Sequence, residues 1–277
     1  KQELITQGIL VMIQTRISYF LGFLVIKSRL AFLLIFSCFT SLSQADSLRP
    51  LIVATEIFNP PFIMQGANKQ LFGFDIEMME EICRYIHREC QYRSGFFENT
   101  IISSIEKREA DIGIASITIT AERNQLVSFS LPYLPSDVQY LSLKKWANVL
   151  FSKDAFNGKK IGIQAGTNFE QAIKDSGFSD VQIITYDSTP ELVQALSVGD
   201  VALTLQAAFS APYLASQIPV FSTFGKPFVS GYGFGIAINK DQSKLLEQIN
   251  DALIEFQRNG QFKKTYDRYV TGGYSES

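Results

Sequence analysis

The groups able to do chemistry are few. Among 277 residues there is one histidine, His87, and three cysteines. A zinc site needs about four such ligands converging, so no metal centre is expected, nor any other cofactor. A Ser-His-Asp or Cys-His enzyme would have to recruit His87 as its base. Polar residues at the ends of apolar runs say more. Ser116 and Thr118 sit two apart, so on an extended backbone their side chains share a face. The guanidinium of nearby Arg123 can fork onto a carboxylate with two charge-assisted hydrogen bonds, or stand solvated beside Glu122. Thr167 follows Gly166 where a strand gives way to a helix. There its N–H and hydroxyl can meet an anion or form an ordinary cap.

The elements that position these residues are read from apolar periodicity. Strands are expected at Leu51–Thr55, 91–97, 111–115 and 139–143, with helices at 75–87 and 99–107, the latter capped by Asn99. A second series follows: strands at 160–163, 182–186 and 201–205, helices at 168–175 and 207–215, and a helix opened by Ser188-Thr189-Pro190-Glu191. A strand at 232–238 and helices at 241–258 and 261–269 close the chain. Such alternation predicts mainly parallel sheets covered on both faces, here as two α/β lobes with ligands at the carboxyl ends of strands. The polar, Gly-containing turns at 55–61, 116–120 and 164–168 fall there.

Composition narrows the class. The formal net charge is −2, apolar residues are 46% and aromatic residues 13%. That excludes general disorder and gives no electrostatic footprint for nucleic acid. Residues 1–45 differ from the rest: two apolar runs, 17–26 and 30–39, flank Lys27-Ser28-Arg29, and Ser43-Gln44-Ala45 gives a small-x-small end. This is the layout of a secretory signal cleaved before Asp46. Neither run reaches the ~20 residues of a comfortable span; the alternative is an anchor made of both. The chain starts at Lys1, so the start is expected to be over-extended. Ile35-Phe36-Ser37-Cys38 matches a lipoprotein box only loosely, because Phe36 is bulky. Loss of the leader removes Lys1, Arg16, Lys27, Arg29 and Glu3 and takes the net charge to −5. It also removes Cys38, leaving Cys83 and Cys90 as an even pair in an oxidising compartment, where a disulfide stapling one helix end is expected over two buried thiols.

Three segments, in order, resemble the periplasmic solute-binding proteins for polar amino acids, the extracellular subunits of ABC importers. They are Leu51–Phe62 with Phe72-Gly73-Phe74-Asp75-Ile76-Glu77, then Ala110–Arg123 with Val127–Tyr133, then Gly158–Asn168. The Cys83/Cys90 spacing is similar to that of histidine- and lysine/arginine/ornithine-binding members, which carry a disulfide there. The resemblance implies the two-lobe type II fold with a cleft between lobes and two hinge strands. Residues 46–140 with 233–277 would form lobe 1 and 141–232 lobe 2. Gly231, Gly233 and Gly235 suit a hinge, or a strand packed tightly on another backbone.

The resemblance also implies a site. Arg123 matches the arginine that clamps the ligand α-carboxylate, and Ser116, Thr118, Thr167 and Asn168 match or adjoin ligand-contacting positions. Thr120 is expected to cap the helix carrying Arg123. Glu56 falls where basic-amino-acid binders carry an acid, Glu98 near another pocket position, and Phe58 and Phe97 are candidate walls, with Phe62 expected in the core. Two residues depart from the pattern. Gln206 stands where an Asp pairs with the α-ammonium, and Asn59 where several members carry an aromatic ring. The implied function is an exported, monomeric binding protein that captures a basic or polar amino acid, or a related carboxylate, and docks on a permease. The alternatives are an exported enzyme similar to cyclohexadienyl dehydratase, with Glu56 or Glu98 as its acid, and a ligand sensor. No signalling segment follows the last expected helix in this sequence, which ranks the sensor lower.

Overall fold

The computed structural model describes residues 49–95, 98–152, 154–178 and 180–271. The expected leader, its cleavage point, Cys38 and Phe97 lie outside the described residues, as do the side chains of Glu98 and Asn99. The compact unit begins at Pro50 and contains two sheets, each the floor of one lobe.

In the first sheet β1 (Leu51–Thr55) lies between β4 (Cys90–Ser94) and β5 (Ile112–Gly113), parallel to both. β12 (Ala237–Ile238) inserts between β5 and β6 (Ser128–Phe129), antiparallel to each. The second sheet runs β11 (Phe221–Phe228), β7 (Val138–Leu143), β10 (Leu203–Ala207), β8 (Lys159–Gln164), β9 (Val181–Tyr186). Here β8 is parallel to β9 and β10, while β7 is antiparallel to β10 and β11. Parallel pairing is therefore confined to part of each sheet, and the expectation of mainly parallel sheets is corrected. The antiparallel members are the strands bordering the two crossovers. The chain leaves the first sheet between Phe129 and Val138 and returns between Phe228 and Ala237. A small hairpin, β2 (Met64–Gln65) with β3 (Leu71–Phe72), stands apart.

Helices cover both sheets. α1 (Phe74–Tyr85) buries Phe74, Ile76, Met78, Met79 and Ile82, and α2 (Glu98–Glu106) buries Ile101, Ile102 and Ile105. Asn99 is thus inside the first turn of α2, not its cap. α3 (Ala121–Leu126) is capped by Thr120, whose Oγ1 accepts the Arg123 N–H. In the other lobe α4 (Phe169–Asp175) follows β8. α5 (Thr189–Val198) is capped by Ser188 with Pro190 in its first turn, and α6 is Ser210–Gln217. α7 (Ser243–Arg258) and α8 (Gln261–Tyr266) return to the first lobe.

Each lobe has an aromatic core. Phe62 is fully buried, edge-on to Phe74 at 6.4 Å and to Phe234 at 5.4 Å. Tyr140, Phe156, Phe178 and Phe224 form its counterpart; each ring removed from water contributes roughly 2–3 kcal/mol. Phe209, just before α6, packs edge-on to Phe62 at 5.9 Å and Tyr266 at 6.3 Å. The second lobe's helix entry is thereby seated on the first lobe's core. Cys83, near the end of α1, is bonded to Cys90, the first residue of β4, with Cα atoms 6.1 Å apart.

Candidate ligand-binding site

The two lobes meet at strand ends. β1 runs into Glu56, which is buried at 6% exposure although it is a carboxylate. β8 delivers Gln164, whose Nε2 donates to Glu56 Oε1 at 3.0 Å across the cleft. The Thr189 hydroxyl donates to Gln164 Oε1 at 3.0 Å, which fixes the amide with its N–H groups turned toward Glu56. Next to this contact, Asn59 Nδ2 donates to Ser116 Oγ at 2.9 Å and to the Ala115 carbonyl at 3.3 Å. Ser116 has φ +46°, a left-handed conformation that costs a β-substituted residue free energy. Its N–H donates to Asp75 Oδ2 at 2.7 Å.

Arg123 lies at the junction of the lobes. Its Nη1 donates to the Thr118 carbonyl at 2.7 Å and its Nη2 to the Gly166 carbonyl at 2.8 Å, one in each lobe. The carbonyls on either side hold the guanidinium plane. Asn168 Nδ2 donates to Ser230 Oγ at 2.8 Å, beside the return crossover. There Gly231 has φ +71°, and a Cβ on it would come within 2.3 Å of Thr118 Cγ2. The crossover backbone is therefore pressed onto the cleft floor as well as conformationally permissive.

Between the lobes lies a cavity of about 30 Å³, around which Glu56, Asn59, Ser116, Thr118, Thr167 and Gln206 gather. That is about the space of two waters, so any larger solute needs the lobes to part. Arg123, Thr167 and Asn168 line an adjoining wider groove of about 680 Å³. Eight of the eleven residues expected to contact or wall the site thus border these two spaces. Phe58 does not: it is 37% exposed, and Phe169 and Phe234 are the rings that border the cavity. Nothing is described of the Glu98 side chain. The Thr167 hydroxyl and N–H both point at the Gln164 carbonyl, at 2.8 and 3.4 Å, so in this closed arrangement they brace a turn. Gln206 is buried inside β10 rather than after its end, its Nε2 reaching Thr204 Oγ1 at 3.4 Å. Gln164 was not foreseen; the available signal was a polar side chain ending an otherwise apolar strand.

Among the described residues, Glu56 is the one carboxylate lining the small cavity. His87 is exposed beyond the end of α1 and does not line it. No group of three or more His, Cys, Asp or Glu among the described residues is placed to hold a metal, and none of their helices is long and apolar enough to cross a membrane. Asp75 is completely buried, and desolvation pushes its carboxyl up from 3.8 to about 7, against the pull of the Ser116 N–H and a Tyr133 hydrogen bond.

Comparison with known proteins places this geometry. The model of the bacterial extracellular solute-binding proteins, family 3, matches residues 51–272. The L-cystine-binding protein TcyJ of Escherichia coli is 29% identical over 229 residues, covering 82% of this chain and 85% of its own length. ABC transporter arginine-binding protein 1 of Escherichia coli is 30% identical over 223 residues, covering 76% and 86%. A crystal structure of an arginine 3rd transport system periplasmic binding protein from Legionella pneumophila aligns with a TM-score of 0.74 at 32% identity, covering 80% of this chain and 99% of that one.

Proposed function

The chain belongs to family 3 of the bacterial extracellular solute-binding proteins, and from that premise we propose that it captures a small zwitterion, an α-amino acid or a close relative, by closure of its two lobes. The observation that carries this is the placing of two opposite charges. Glu56 accepts from the side chain of Gln164, the last residue of β8, and Arg123 donates to the carbonyl of Gly166 in the turn that follows it, so both charges meet the same segment of the second lobe. Arg123 suits a carboxylate, which would displace the Gly166 or Thr118 carbonyl from its N–H groups. Gln206 offers a neutral amide, so the ligand's ammonium is assigned to Glu56. Relatives named for arginine and cystine support an amino acid.

Closure follows from the same contacts. Glu56–Gln164 and Arg123–Gly166 join the lobes directly, and a ligand held by both walls favours the closed form by its differential affinity. In this reading lobe 1 is 46–140 with 233–277 and lobe 2 is 141–232, save that β7 pairs and packs in the second lobe from Val138, which moves Val138–Tyr140 to lobe 2. Residues 1–45 are a leader, the mature protein is a periplasmic monomer, and the closed form docks on an ABC permease. It is a binder and not an enzyme.

The test is a thermal-shift screen of residues 46–277 against amino acids, amines and small carboxylates. Ligand at 100-fold over its Kd adds about 2.7 kcal/mol, which raises Tm by roughly 5–10 °C in a protein of this size. A shift with an amino acid that is lost in Arg123→Ala supports the reading. Shifts confined to carboxylates without an amine, or turnover of prephenate or arogenate, overturn it.

A further inference from the structure

The cleft contains one residue in a conformation its side chain disfavours, and behind it one carboxylate taken wholly out of water. Ser116, with φ +46°, presents its hydroxyl to Asn59 at the cavity wall. Its N–H donates to Asp75 Oδ2 at 2.7 Å. Asp75, in the first turn of α1, does not line the cavity, and its exposure is 0%. We propose that Asp75 is a positioning residue for ligand capture: its ionised carboxylate pins the left-handed backbone of Ser116, and so sets the cavity wall formed by Ser116 and Asn59. This rests on the reading of the cleft as an amino-acid site.

Three observations make the pin more than a packing detail. A left-handed non-glycine residue persists only where its surroundings over-determine it, and the Asp75 bond is the charge-assisted contact on that backbone. A charged acceptor holds an N–H roughly twice as strongly as a neutral one. Asp75 is also placed to change between the two near neutrality, because burial raises its carboxyl to about 7. The titratable side chain that bears on it from another segment is Tyr133, which lowers its pKa. On its own helix, Glu77 turns away to Thr265 and Arg268 of the C-terminal segment. Protonation of Asp75 therefore weakens the hold on Ser116 while the fold stays intact.

The experiment measures binding of L-arginine and L-cystine by calorimetry from pH 6 to pH 8, for the wild type, Asp75→Asn, Ser116→Gly and the double variant. The wild type is expected to bind about five- to ten-fold more weakly at pH 6 than at pH 8. Asp75→Asn should be flat across this range at the weaker affinity. Glycine adopts φ +46° without a pin, so in the Ser116→Gly background Asp75→Asn should change Kd less than two-fold. Additive effects of the two substitutions, or an unchanged pH slope in Asp75→Asn, overturn the proposal. The Ser116 amide resonance of ligand-free wild type provides a readout independent of any ligand and of variant folding. It should shift with a midpoint near pH 7, and an amide that does not titrate refutes the pin. If neither amino acid binds at any pH, the functional reading fails while the amide titration still decides the role of Asp75.

Discussion

Replacing Asp75 by Asn tests the energetics of the buried carboxylate directly. The carboxyl rises from 3.8 to about 7 in the folded protein, with desolvation the largest cause. About three units at 1.36 kcal/mol each correspond to about 4 kcal/mol between the limiting protonation states. The folded protein keeps a proton that the unfolded chain has lost between those two values. The associated stability is therefore fully present below about pH 4 and disappears as pH rises through 7. Integrated between pH 5 and pH 8, the change is about 2 to 3 kcal/mol. Asn fills the same volume, still accepts the Ser116 N–H and does not titrate. Urea unfolding of wild type and Asp75→Asn at pH 5, 6, 7 and 8, with the disulfide oxidised, gives the difference curve. Wild type should lose stability relative to the variant as pH rises, through the midpoint and not the slope of the transitions. Parallel curves, or a wild type that gains on the variant with pH, would refute the argument.

Further outcomes follow from other contacts. Arg123→Ala removes the proposed two-bond grip on a carboxylate and should weaken amino-acid binding at least about 100-fold, at 1.5–3 kcal/mol per charged hydrogen bond. Arg123→Lys keeps the charge without the fork and should cost about ten-fold; calorimetry separates the two. Opening the Cys83–Cys90 bond, which spans seven positions, should lower stability by about 2–3 kcal/mol on the loop-entropy estimate, read as a Tm drop under reductant that a Cys83→Ser/Cys90→Ser variant no longer shows. Gly231→Ala meets Thr118 and the Ile119 carbonyl at 2.3 and 2.7 Å and should destabilise by more than about 2 kcal/mol. Gly158→Ala, at φ +70° with open space around it, should cost only about 1 kcal/mol of backbone strain. Equal losses in the two melts would contradict the packing account.

What the sequence made legible follows from how local each signal is. Leu51–Thr55 and the Ser188–Pro190 helix start are written in contiguous residues and appear where read. β11 was not among the expected strands; it carries Gly225, Lys226 and Pro227, which the structure tolerates because β11 is an edge strand. Residues 232–238 read as one strand, but only Ala237–Ile238 pair in a ladder. Gly233 takes φ +100° and Phe234 makes isolated bridges to Thr118 and Leu134. β10 begins two residues later than its apolar run suggested, which brings Gln206 inside it. Strand direction at the crossovers has no local signature at all. In the site, spacing alone set Ser116 and Thr118 on one face of an extended segment, whereas Arg123 stood out only through the family resemblance, its type leaving a solvated partner of Glu122 open. The Glu56–Gln164 contact joins residues 108 positions apart, and no periodicity encodes that. Asp75 read as one acid in a helix's first turn; its burial depends on how Ser116 and Tyr133 fold over it.

The seat of β12 between β5 and β6 has a consequence for how the molecule comes into being. A chain delivered N-terminus first can pair β1 with β4 and β5 early, yet β5 then presents a bare flank, because its other neighbour arrives more than a hundred residues later. All five strands of the second sheet are delivered before that neighbour. The inserted lobe is thus complete while the enclosing lobe still has a vacant slot, with the backbone of β5 open to unwanted pairing. During export the vulnerable interval ends only when Ala237 and Ile238 dock. Truncation just before them should leave an aggregation-prone fragment, even though nearly every side chain of the cleft is already present.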